Sequence, residues 1–491
     1  MSTVAVSETI LSTPLLIGGE ERETDESFAV YSPHDGSVIG HAAAASHQDA
    51  VDAVAAADRA WPAWAALSAA ERIEICLRAL ETLPSDLDER AEVLSRENGK
   101  IRFEATIDLH VFSGRFHEAA VYARELDTPE IITGPPYNST ISHLPQGVVT
   151  IIYPFNWPLA ILAASLPHAL MAGNTVVVKP PPTTPLSSVL TLRHVARLLP
   201  PGVLNVVTGA DAVVGPVVVG DPRVKHVAFT GSTAGGKRIM GMAAANVTNV
   251  TLELGGNDPA IVLDDAVLDE ATIGKLAMAT FMTTGQVCMA LKRLYVPRSM
   301  YGDAVDGLRT FLEGQKLGSG LNADVTMGPL NMRHQREYVE ELLAESRAAG
   351  TEVITAGEYT DGDPSEGNYM LPALVLDPSA DQRIVTEEQF GPALPVIPYD
   401  SLDEVVGAAN DTWAGLCASV WSSDTEHAKS VGRRLRAGHV FFNNHNATAV
   451  DERAPFGGFG QSGLGRELGR EGVLGFTETQ VMAVPDGEAA H

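Results

Sequence analysis

The chain has 491 residues, with 34 basic and 62 acidic side chains and a formal net charge of −28. That length suggests roughly three structural units and a core large enough to need neither disulfides nor a structural metal. The 45% apolar content argues against disorder, and the acidic surplus disfavours nucleic acid and anionic membranes as principal partners.

No Lys or Arg precedes Arg22, so a secretory leader is not expected. The three cysteines, Cys76, Cys288 and Cys417, form no disulfide framework and fit a reducing, cytoplasmic setting. A short hairpin near Ile17 is followed by apolar residues at helical spacing through Val51, Val54 and Trp61, then Ile73 to Leu80, then Leu87 to Leu94. Residues 131–178 contain no charged side chain. Pro135, Pro136, Pro145, Pro154, Pro158 and Pro167 interrupt them, so they read as buried strands and a helix, not as a membrane span.

From residue 147 strands alternate with helices. Strands are expected at 147–152, 174–178, 202–207 and 224–229, with helices at 159–171, 187–199, 213–219 and 233–244 between and after them. The pattern restarts beyond Gly256 with a strand at 259–263, a helix at about 270–282 and a strand at 293–296. This spacing implies α/β architecture with doubly wound parallel sheets, whose ligand sites are sought in loops after the strands.

Four segments carry candidate chemistry. Gly231-Ser-Thr-Ala-Gly-Gly236-Lys237 matches the phosphate-cradling part of a P-loop, but Arg238 stands where Mg²⁺ binding needs Ser or Thr. The loop therefore reads either as the phosphate loop of an ATPase or kinase or as a Gly-rich turn presenting backbone N–H groups to a pyrophosphate. Cys288 sits in Gly285-Gln-Val-Cys288, where Gly285 and Gln286 would leave the backbone open, whereas Cys76 and Cys417 lie in ordinary apolar patterns. Glu253 is embedded in an apolar strand, which leaves it paired, functional or exposed at the strand's end. Asn156, held between Pro154 and Pro158, could donate to an oxyanion or simply form a turn.

Together these segments resemble the aldehyde dehydrogenase superfamily. Pro154-Phe-Asn-Trp-Pro158, Ala172-Gly-Asn-Thr-Val-Val-Val-Lys-Pro180, Phe229-Thr-Gly-Ser-Thr233, Leu252-Glu-Leu-Gly-Gly256, Gly285-Gln-Val-Cys288, Glu388-Gln-Phe-Gly-Pro392 and Pro455-Phe-Gly-Gly458 occur in the family's order. The resemblance implies an aldehyde-dehydrogenase-like α/β fold with two doubly wound domains and a small β bridging element. A dinucleotide-binding domain would span 1–125 and 145–253, a catalytic domain 254–469, and an oligomerisation element 126–144 and 470–491, giving a homodimer or homotetramer. It further implies Cys288 as nucleophile, Glu253 as general base and Asn156 as oxyanion donor. Lys179 would bind the adenine ribose, Gly231 and Ser232 the pyrophosphate, and Glu388 the nicotinamide ribose, with Phe390 nearby; no metal is implied.

Relatives often carry Glu three residues after the lysine, where this chain has Pro182. Losing that carboxylate tilts the expectation for NAD or NADP slightly towards NADP. The substrate expected is an uncharged aliphatic or aromatic aldehyde, because Val287 and Met289, not cations, flank Cys288. The competing readings are a semialdehyde dehydrogenase, carboxylated or CoA-acylating, and an inactive binding or structural homologue.

Overall fold

The computed structural model describes residues 11–486 except residue 362. The outermost parts of the expected first and last units, residues 1–10 and 487–491, lie outside the described residues. Two large sheets dominate. The first has eight strands, and its centre runs Asn249–Glu253, Val224–Thr230, Val148–Ile152, Thr175–Lys179 and Leu204–Val206, all parallel. The chain lays its strands to one side of Val148–Ile152 and then returns to the other, so the topological switch lies beside that strand. Val176, Val177 and Val178 are fully buried. Each such side chain stabilises the fold by about 1.5–3 kcal/mol relative to exposure.

The second sheet has seven strands, with Leu291–Pro297 and Asp258–Val262 near its middle and Cys417–Trp421 beyond. All its pairings are parallel except the edge strand Glu352–Thr355. Only four residues separate Glu253, which ends a strand of the first sheet, from Asp258, which begins the second. Four residues reach at most about 14 Å, so the carboxyl edge of one sheet must face the amino edge of the other. Loops after strand ends therefore face the seam in the first sheet alone. In the second, the candidate loops precede Asp258, Leu291 and Ala393.

The hairpin near Ile17 is present as Leu15–Ile17 against Glu20–Arg22 and extends the first sheet. The far edge differs from the expected division. Gly463–Leu464, assigned by sequence to the second unit, pairs antiparallel with Asn249–Glu253 in the first. The chain crosses back here because Leu254 donates its backbone N–H to the Ser462 carbonyl at 2.8 Å, and Ser462 Oγ donates to the Gly255 carbonyl at 2.8 Å. A third sheet pairs Thr477–Pro485 with Tyr137–Pro145 and the latter with Glu130–Ile132. Ile131 and Val481 on it are exposed. Among the described residues no helix is long and apolar enough to cross a membrane.

Candidate active site

Asn156 leaves the central strand of the first sheet in a loop that the prolines stiffen and the Asn98 amide anchors, donating to the Phe155 carbonyl at 2.6 Å. The helix Pro158–Met171 follows directly. Its Ala160 N–H donates to Asp108 at 2.6 Å, and Asp108 also holds the Lys100 ammonium at 2.9 Å with both side chains buried. Removing one member of such a pair strands the other and costs about 3–5 kcal/mol. This pair fixes where the loop ends, and hence where Asn156 points.

Cys288 comes from the facing edge. Thr283, Thr284 and Gly285 all lie in the left-handed region, with φ of 51°, 57° and 72°. Two threonines there are strained and persist only where the surroundings over-determine them. A Cβ on Gly285 would collide with the Gly391 carbonyl, so this position needs glycine. Gln286 locks the turn by accepting from the Asn331 N–H at 3.0 Å, and its own carbonyl accepts from Asn156 Nδ2 at 2.9 Å. The amide keeps a second N–H free.

Asn156, Glu253 and Cys288 open onto one cavity of about 300 Å³. Its walls are mainly apolar, including Ile107, Val111, Trp157, Met282 and Phe456, and Ala160 and Ala164 leave room within it. Sequence reasoning missed an ion pair in its wall. Arg115, on the helix Arg102–Ala123, donates Nε to Glu452 at 2.9 Å, and both line the cavity. No local pattern signals a pair 337 residues apart.

Titratable groups at the site are concentrated and buried. Glu253 is buried and neither carboxylate oxygen has a hydrogen-bond partner among the described residues. Burial first, then the neighbouring Glu467 carboxylate, lifts it well above the usual carboxylate range. Glu467 itself accepts from Ser165 Oγ at 2.6 Å. The half-buried Cys288 thiol is pushed up to about 12 by burial, then by the carboxylates of Glu388, Glu253 and Asp258, against the opposing pull of Lys292. A raised thiol pKa means less thiolate at pH 7. Iodoacetamide should therefore modify Cys288 slowly at pH 7, roughly a thousandfold below an unperturbed cysteine, and faster as pH rises. Glu388→Gln should raise that rate at fixed pH. Peptide mass spectrometry over time checks both; fast, pH-independent labelling would contradict the arrangement.

The remaining sequence candidates divide between two places. Ser232 caps the helix Thr233–Ala243, accepting from the Gly235 N–H at 3.1 Å, and Gly231 donates to the Glu253 carbonyl at 3.0 Å. That helix start presents backbone donors beside the switch point. Lys237 in the same loop instead reaches Gln461 Oε1 at 2.8 Å. Lys179 is buried at the end of its strand and is paired with Asp211, at the start of the helix Asp211–Gly220. Glu388 accepts from the Gly256 N–H at 3.2 Å, and a Cβ on Gly255 would fill the space it occupies. Phe390 sets its ring edge against Phe155 at 6.1 Å, with the Lys292 ammonium 5.4 Å away. The described residues thus place Asn156, Glu253, Cys288, Glu388 and Phe390 along the seam between the sheets. Lys179 and Ser232 lie at the carboxyl edge of the first.

Residues 20–482 match the model of the aldehyde dehydrogenase family. The chain is 36% identical to the betaine aldehyde dehydrogenase of Bacillus subtilis over 96% of its own length and 97% of that protein. It is 34% identical to the NADP(+) succinate-semialdehyde dehydrogenase of Escherichia coli, covering 96% and 97%. The Staphylococcus aureus betaine aldehyde dehydrogenase, solved in complex with NAD+, superposes with a TM-score of 0.92 at 31% identity, covering 98% of this chain and 96% of that one.

Proposed function

The chain belongs to the aldehyde dehydrogenase family, and from that premise we propose that it oxidises an uncharged aliphatic or aromatic aldehyde to its carboxylic acid with NAD(P)+. The observation that carries this reading is the single, mainly apolar cavity onto which Cys288, Asn156 and Glu253 all open.

Cys288 Sγ attacks the aldehyde carbon as its thiol proton passes to Glu253 in the ionised form and from there to solvent. The carbonyl oxygen, now an oxyanion, accepts from the free Asn156 N–H and from the Cys288 backbone N–H. The residues fit a dinucleotide: Ser232 and the helix start for its pyrophosphate, and Lys179 and Glu388 for its two riboses. When bound, that cofactor supplies the hydride acceptor. Oxidation leaves a thioester on Cys288. Glu253 then takes a proton from water, the water oxygen attacks the thioester carbon, and the sulfur leaves as the acid departs. Burial and the neighbouring Glu467 carboxylate favour a protonated Glu253 at rest, so it gives up that proton before it acts as base.

A carboxylated semialdehyde fits less well, because Glu452 already neutralises the cavity's Arg115. A CoA-acylating enzyme would need no water-activating base, yet Glu253 faces the cavity. The third sheet, with its exposed apolar residues, supports assembly into a homodimer or homotetramer. A panel of neutral, anionic and cationic aldehydes, assayed without CoA, tests the reading. Neutral apolar aldehydes should show the highest kcat/KM, and carboxylated ones should fall about tenfold or more below them. A preference for a carboxylated substrate, or a strict CoA requirement, would overturn it.

A further inference from the structure

The loop that departs most from the family pattern is the one after Lys179, and the structure supplies there a carboxylate from elsewhere. Lys179 is only 3% exposed, and its ammonium pairs with Asp211, whose side chain is 79% exposed. The two residues end and follow neighbouring parallel strands, Thr175–Lys179 and Leu204–Val206. Asp211 is thus held by a buried cation on one side and left open on the other. We propose that Asp211 is the specificity-determining residue of the cofactor site: it accepts hydrogen bonds from the adenine-ribose hydroxyls of NAD+ and excludes the 2′-phosphate of NADP+. This rests on the reading of Lys179 as the adenine-ribose residue.

Three further observations point the same way. A 2′-phosphate carries about −1.5 to −2 charge and needs N–H donors or free cations. Pro180, Pro181 and Pro182 provide no backbone N–H on one side of the site. Residues 180–184 and 207–213 contain no Lys, Arg or His, so the one cation at these strand ends is Lys179, already committed to Asp211. The start of the helix Asp211–Gly220 would otherwise attract an anion, but its first residue is itself a carboxylate. A ribose hydroxyl meets the opposite situation, an acceptor whose orientation the lysine fixes. The missing carboxylate at position 182, which by sequence tilts towards NADP, is therefore replaced from the adjacent strand's loop.

Equilibrium titration of the full-length protein with NAD+ and NADP+, by calorimetry or by quenching of intrinsic fluorescence, tests this without turnover. The wild type should bind NAD+ about tenfold or more tightly than NADP+. Asp211→Asn should compress that ratio by about tenfold or more, chiefly by tightening NADP+, because it removes the repulsion and keeps the shape. Asp211→Ala should compress it while also weakening NAD+. Asp211→Asn keeps an oxygen for the buried Lys179 ammonium and should melt close to wild type, which separates a binding effect from misfolding; Asp211→Ala leaves that ammonium unpaired and should melt lower. Wild type preferring NADP+, or a ratio unmoved in Asp211→Asn, would overturn the role of Asp211 while leaving the cofactor site standing. Wild type binding neither dinucleotide would overturn the cofactor site itself.

Discussion

Cys288→Ala is expected to lower aldehyde-dependent formation of reduced nicotinamide by about 10⁴-fold or more, while leaving the fold and dinucleotide binding intact. The size follows from chemistry that has no substitute at the site. Asn156 can polarise the carbonyl and Glu253 can move a proton, but neither can form the covalent bond that turns one difficult oxidation into two easier steps. Cys417 and Cys76 cannot replace it, since both are buried and neither lines the cavity onto which Asn156 and Glu253 open. Stability should change little. The side chain is small and half-buried, and the turn around it is held by Gln286, Asn331 and Gly285, none of which touches the sulfur to do so. Steady-state assays with a saturating apolar aldehyde, beside melting curves and dinucleotide titration, give the answer. Activity within about tenfold of wild type would remove Cys288 from the mechanism.

The candidate site was legible in sequence wherever its signal was local. Gly285-Gln-Val-Cys288 carries its own reason for an open turn, and Glu253 stands out as a charge in an apolar strand. Asn156 is marked by the prolines that hold it. The alternation of strands and helices likewise announces both parallel sheets. Contacts between distant segments were not legible. Asp211 meets Lys179 only because their strands are neighbours. Arg115 meets Glu452 across most of the chain, and the Gly463–Leu464 strand joins the first sheet because Ser462 ties it back to Leu254 and Gly255. Such pairings depend on which strand lies beside which, and hydrophobic period carries no information about that. Sequence places Cys288 between a helix and the following strand; that this amino edge faces the first sheet follows from the short link between Glu253 and Asp258.

Glu253→Gln should separate the two halves of the reaction. The substitution keeps size and shape but removes the group that can take a proton, so thioester hydrolysis should slow by about 10²- to 10⁴-fold. Rapid mixing with excess aldehyde should then give a burst approaching one equivalent of reduced nicotinamide per active site, followed by slow turnover. The wild type should show a smaller burst or none. An added strong nucleophile such as hydroxylamine needs no base, so it should restore turnover to the variant and yield the hydroxamate. Burial helps to define this outcome. Glu253 forms no ion pair among the described residues, so the neutral amide strands no ionic partner, and folding should survive. Turnover unchanged by Glu253→Gln would remove the residue from the reaction. Loss of the burst together with turnover would move its main role to the first half, where the thiol of Cys288, held at about 12, gives up its proton.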